Sequence, residues 1–180
     1  MPALQMRDAA FARAGEMLAG RISLELDDGQ RVARAFASGR EAAIVALMAS
    51  GGVKATSGSV FIDGFDPKIQ PTQCKRLAGY VPHELLPLEF ASFERYIEYR
   101  AALWNLDGER ARGHARHLLE HLDGVHESFA YPLVGALLAD PIVLVLDRPQ
   151  AAYASRMLAV AGSRAIFSTH ASASEAAAWA

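Results

Sequence analysis

Pro141-Ile142-Val143-Leu144-Val145-Leu146-Asp147-Arg148-Pro149 decides how the chain is read. Five successive apolar residues, with two valines and an isoleucine among them, fit a strand covered on both faces, as parallel strands are. An acid at the carboxyl end of such a strand stands where open α/β sheets bind ligands. The residue after it is Arg148, a fixed positive charge beside that acid.

Outward from that strand, the pattern alternates strand and helix. Towards the amino terminus, residues 4–7 and 22–26 alternate apolar and polar, as half-exposed antiparallel strands do. Asp27-Asp28-Gly29-Gln30 is a hairpin signal leading to a strand over 31–36. Residues 41–50 form an apolar helix, 56–59 a turn, and 60–64 and 77–81 short strands. Two amphipathic helices follow at 93–104 and 108–122, then a short helix at 133–139 before the central strand. Beyond it lie a helical turn at 157–160, a strand at 165–168 and a helix at 172–179. The order implies an α/β fold with an inserted helical lobe.

The totals narrow the class. At 180 residues the chain reads as one domain, 1–180, with 52% hydrophobic residues and a mean hydropathy of +0.11. A net charge of −2 gives no electrostatic case for nucleic acid. The single cysteine, Cys74, excludes an internal disulfide and a cysteine-based metal cluster, and fits a reducing cytoplasm. Arg7, Asp8, Arg13 and Glu16 interrupt any secretory signal near Met1, and no apolar stretch is long enough for direct membrane insertion.

Five ordered stretches together resemble the ATP-binding cassette of ABC transporters over almost the whole chain. They are the strand and turn at 22–30, then Lys54-Ala55-Thr56-Ser57-Gly58-Ser59-Val60-Phe61-Ile62-Asp63-Gly64, and Ala78-Gly79-Tyr80-Val81-Pro82-His83-Glu84 like a Q-loop strand. Leu137 to Asp147 is similar to a Walker B approach, and Phe167-Ser168-Thr169-His170 to a switch-histidine strand. The resemblance implies a P-loop NTPase-like cassette core. It would be a mixed sheet with flanking helices and antiparallel N-terminal strands, carrying a reduced helical lobe at about 86–138.

The family's functional residues mostly do not carry over. A phosphate loop reads Gly-x-x-x-x-Gly-Lys-Ser/Thr, because glycines let the backbone wrap phosphates and lysine neutralises them. The aligned stretch is Phe36-Ala37-Ser38-Gly39-Arg40-Glu41-Ala42-Ala43. Phe36 and Glu41 replace the glycines, Ala42 the lysine and Ala43 the hydroxyl that would hold Mg²⁺. Losing the lysine costs about 1.5–3 kcal/mol. A carboxylate roughly 5 Å from phosphate adds on the order of 3 kcal/mol of repulsion. Affinity for ATP should therefore fall about a thousandfold or more, with Arg40 the one residue able to compensate.

The vestigial nucleotide site expected from this alignment comprises Ser38, Gly39, Arg40, His83, Asp147 and His170. His83 stands at the Q-loop glutamine, Asp147 at the Walker B acid and His170 at the switch histidine. The signature Ser-Gly-Gly is missing, since His126 to Leu133 leads directly into the helix that usually follows it. Asp147 also reads as a capped acid paired with Arg148 or His170. No catalytic residue and no metal site are expected, nor any cofactor unless the site still takes ATP and Mg²⁺.

Other constellations are weaker. Ser38, His170 and Asp147 supply the residue types of a hydrolytic triad, but no Gly-x-Ser-x-Gly elbow accompanies them. His114, His117 and His121 share one side of a helix. Arg110, Arg112 and Arg116 interleave with them, which reads as a solvated face.

The function implied is that of an ABC transporter subunit without catalysis, a pseudo-ATPase with a structural or regulatory place in a membrane transport or export complex. Two alternatives stand beside it, a residual ATP-binding subunit and a free-standing regulatory interaction module. The expected partner is a membrane-spanning transporter subunit or another cassette, with any self-association indifferent to nucleotide. In the family a Q-loop groove receives a helix of the transmembrane subunit, which marks Leu86, Leu88 and Phe90 as partner-binding. The protein would then lie in the cytoplasm, held at the membrane's inner face through that partner.

Overall fold

The computed structural model describes residues 1–83 and 92–180. In chain order the elements are β1 (Leu4–Arg13), β2 (Glu16–Leu26), β3 (Arg31–Ala35), α1 (Gly39–Ala49), β4 (Ser57–Ile62), α2 (Pro71–Leu77) and β5 (Ala78–Val81). Then come α3 (Phe93–Leu103), α4 (Gly108–Glu120), α5 (Glu127–Leu137), β6 (Val143–Asp147), α6 (Ala154–Ala161), β7 (Ala165–His170) and α7 (Ala173–Ala176). The strands divide between an antiparallel sheet, β2-β1-β4, and a parallel sheet, β3-β7-β6-β5.

The hairpin lies at Ala14-Gly15, where φ values of 51° and 81° suit a two-residue turn with both central residues left-handed. The turn at Asp27 to Gln30 is closed by Gln30 N–H to the Asp27 carbonyl at 3.1 Å, but it joins different sheets. It is therefore no hairpin. β1 runs well past residue 7 because a bulge at Asp8 (φ 44°) absorbs the polar break, and Ser23 Oγ receives the Asp8 N–H at 3.1 Å. Glycine at 58 (φ 69°) permits the close approach of the Asp8 carbonyl, which a Cβ would strike.

β6 and β7 organise the interior. Val143, Val145, Ala165 and Phe167 face α1 and the antiparallel sheet, joining Val45, Met48, Leu4 and Ile62. Leu144, Leu146 and Ile166 face the other way, against Leu133, Leu137, Met157 and Trp179. Burial on both faces explains the unbroken apolar run, and each large aliphatic side chain so buried contributes about 1.5–3 kcal/mol.

Helices α3, α4 and α5 pack together against the second of these clusters. Tyr96 lies on Gly135, where a Cβ would collide with its hydroxyl, and Arg100 donates to the Gly135 carbonyl at 3.1 and 3.2 Å. The expected helix at 133–139 begins earlier, at Glu127. His126 caps it through Nδ1, and Pro132 sits inside it. No described helix is long and apolar enough to cross a membrane.

Candidate functional site

The parallel strands β6 and β7 end beside the amino terminus of α1, and there the aligned site residues are placed. Ser38 is the N-cap of α1, its Oγ accepting the Glu41 N–H at 3.1 Å. Glu41 folds back over the loop. Its Oε2 accepts the Ala37 N–H at 3.2 Å and its Oε1 the Gly20 N–H at 3.4 Å. The Ala37 amide of this loop is thus engaged by a carboxylate of the chain, favourably placed at the positive end of the helix.

Asp147 is only 4% exposed and is surrounded by donors. Arg148 grips it with Nε to Oδ1 at 2.8 Å and Nη2 to Oδ2 at 3.3 Å. Tyr80 Oη donates to Oδ2 at 3.4 Å and Thr169 Oγ1 to Oδ1 at 3.5 Å. Burial first, and the neighbouring Asp147 charge second, push the Tyr80 phenol far up, so it stays a neutral donor. The third guanidinium nitrogen of Arg148 stands over Gly39, where a Cβ would come within 2.7 Å of it. One arginine therefore links the end of β6 to the first residue of α1.

The backbone of Arg148 is held as firmly as its side chain. It has φ 46°, its N–H donates to the Thr169 carbonyl at 2.9 Å, and its carbonyl accepts from His83 Nδ1 at 2.8 Å. His83 consequently carries its proton on Nδ1 in this contact. Residue 148 takes the left-handed backbone because both its peptide groups are committed in this way.

Two of the expected residues lie apart from this cluster. Arg40 pairs with Glu16 at 3.3 Å, both side chains about two-thirds exposed (64% and 65%), a surface contact of small energetic weight. His170 follows Thr169 on β7 and so points to the opposite face of the sheet, fully buried. Its Nε2 meets Ser168 Oγ at 2.8 Å, and its ring lies 6.4 Å from that of Trp179. Burial lowers its pKa from the ordinary 6.5, with the Glu175 charge pulling weakly the other way. Of the two partners considered for Asp147, the geometry selects Arg148. It also keeps Ser38, His170 and Asp147 from forming a triad. Leu86, Leu88 and Phe90 lie outside the described residues.

Tyr80 and Thr169 were not legible as site residues from motifs, although strand register finds both. Asp147 pairs with Thr169, and Tyr80 with Val145, so all three share the face of Val145. Among the described residues no group of three or more His, Cys, Asp or Glu side chains is arranged to hold a metal ion.

The fold these elements build is that of the ATP-binding cassettes. An ATP-binding subunit of an ABC transporter superposes with a TM-score of 0.79 at 16% identity, covering 98% of this chain and 82% of that one. A dimeric ATP-binding cassette in a post-hydrolysis state, bound to ADP and Pi, gives 0.76 at 15% identity, covering 98% and 91%. A Clostridium perfringens subunit that is part of an ABC transporter complex gives 0.71 at 17% identity, covering 94% and 78%. At these identities the likeness is one of fold. No family model and no curated protein matches the sequence.

Proposed function

We propose that this chain is a non-catalytic cassette, a pseudo-ATPase that serves as a structural or regulatory subunit of a membrane transport or export complex. The observation that carries the reading is the internal ion set at the phosphate-loop position. The Glu41 carboxylate engages the loop, and Arg148 neutralises Asp147 while covering Gly39. A nucleotide phosphate would have to displace a hydrogen-bonded carboxylate of its own sign. Magnesium would have to displace a bidentate guanidinium from Asp147. The first turn of α5, which follows the missing signature, also begins with an acid, Glu127. Both helix starts that serve nucleotide in a cassette pair thus present carboxylates, and like charges there repel phosphate.

The cassettes of like fold include subunits of ABC transporter complexes, which supports a membrane-spanning subunit or a second cassette as partner. On this reading Leu86, Leu88 and Phe90 contact that partner and bring the protein to the membrane's inner face. Isothermal calorimetry with ATP and ADP, each with and without Mg²⁺, tests the proposal. No binding tighter than about 1 mM is expected, and a micromolar Kd (about 8 kcal/mol of binding energy) overturns it.

A further inference from the structure

We infer that His117 and His121 form a chelating site for a divalent transition-metal ion of the zinc, nickel or copper type, remote from the cassette's nucleotide position. The two side chains stand one turn apart at the carboxyl end of α4, with ring centroids 4.6 Å apart in an edge-to-face arrangement. Two imidazoles sharing an ion at about 2.1 Å, with an angle near 90–109° at the metal, have centroids roughly 4.6–5.3 Å apart. The pair is therefore already near the separation that a shared ion demands.

The second observation concerns protons. His121 Nδ1 lies 2.8 Å from the His117 carbonyl, which can only accept, so Nδ1 donates and the neutral ring leaves a lone pair on Nε2. A ring nitrogen bonded to a backbone carbonyl while the other faces a metal is the usual outer support of histidine ligands. The third observation is shape. Both rings line a groove of about 390 Å³ between α4 and α6, with Ser155 and Arg156 among the residues of its other wall. The room admits an ion with water in its remaining positions, and the carbonyl end of α4 favours positive charge.

His114 belongs elsewhere, since it lines a separate cavity with Asn105, Asp107 and Arg110. The site is thus a two-histidine chelate completed by water or the Ser155 hydroxyl. Arg156 is the one opposing charge among the lining residues, and its guanidinium lies 3.7 Å from where a Cβ at Gly124 would stand. Imidazole ligands suit zinc, nickel and copper and are poor for magnesium or calcium.

Calorimetric titration of the full chain with Zn²⁺ and with Ni²⁺, in a chelator-free buffer, tests the assignment. One ion per chain is expected at micromolar Kd, with a rise in melting temperature when metal is present. His117→Ala and His121→Ala should each weaken binding by about 10–100-fold, at least the loss that removing even an outer partner brings. His114→Ala should leave it unchanged, and Arg156→Ala should tighten it by relieving repulsion. Melts without metal verify that the variants fold. The site is refuted if neither ion binds below about 100 μM, if binding survives loss of both histidines, or if Arg156→Ala weakens it. Mg²⁺-ATP titrations are independent of this result, so the chelate and the pseudo-ATPase reading can fail separately.

Discussion

The two faces of the β6 and β7 strand ends handle buried polarity in opposite ways. On the face towards α1, Asp147 is met by donors on every side, from Arg148, Tyr80 and Thr169. On the face towards α7, His170 is buried without a countercharge in contact, and burial holds it neutral beside Ser168. Among the described residues its Nδ1 has no partner, and neither has Trp179 Nε1. The ends of two neighbouring strands, β6 at Asp147 and β7 at His170, thus differ, the first fully bonded and the second neutral and partly bonded. A charge inside a protein is stable only with its partners, whereas a titratable ring can shed its charge.

The largest way to break the contrast is to remove Arg148. Arg148→Ala leaves a buried carboxylate uncompensated and should lower unfolding free energy by about 3–5 kcal/mol, read from urea denaturation. The double replacement Asp147→Ala with Arg148→Ala should recover a good part of that loss. A single-variant cost below 1 kcal/mol would mean that Tyr80 and Thr169 already satisfy Asp147.

Next in size is Glu41. Glu41→Ala removes the acceptor for the loop amide of Ala37 and the β2 amide of Gly20 and should cost about 1–2 kcal/mol in the same assay, within the range of a lost helix cap. Nucleotide binding should not return, because Ala42 and Ala43 still lack the lysine and hydroxyl. Recovery of micromolar ATP binding in this variant would show that the carboxylate alone closes the site.

The neutral face gives a smaller, pH-dependent signal. His170 has a folded pKa below the ordinary 6.5, so between these values the unfolded chain binds a proton that the folded chain refuses. Stability associated with this residue is complete above about pH 6.5 and declines as the pH falls from there towards the folded pKa. Urea midpoints measured from pH 7.5 to 5 should show that decline, and His170→Phe should flatten it. An equal slope in the variant would place the effect on other groups.

Smallest of all should be the change in melting temperature for Leu88→Ser with Phe90→Ser. Association with membranes carrying the partner should nevertheless be lost. If the double variant unfolds instead, these residues belong to the core.

The fold was legible where the sequence repeats a physical constraint several times over. The run from Ile142 to Leu146 and the helix from Gly39 carry burial on every turn or face, so their elements were expected nearly as found. α2 escaped notice because only Cys74 in it is buried, which leaves no apolar period to read; its one signal is Pro71 at the first turn. α5 was expected to begin only at Leu133, yet Pro132 lies inside it as the sixth residue, where proline forgoes one bond of the helix ladder. At the candidate site the losses at Phe36, Glu41, Ala42 and Ala43 were plain from types alone. The new role of Glu41 was hidden, because it depends on a side chain turning back to Ala37 and Gly20. Arg148 was conspicuous, but its reach to Gly39 depends on the spacing of two elements more than a hundred residues apart in sequence.

Gly39 carries a consequence for how decayed motifs are counted. Scored by alignment, it falls at a variable position of the phosphate-loop pattern. Sterically, it answers to an arginine, since a methyl group there would press on a guanidinium that Asp147 holds in place. A glycine in such a loop can therefore answer to a side chain packed over it as readily as to a bound phosphate. Surveys that rank degenerate ATPases by surviving motif letters should weigh each letter by the atom that occupies the space above it.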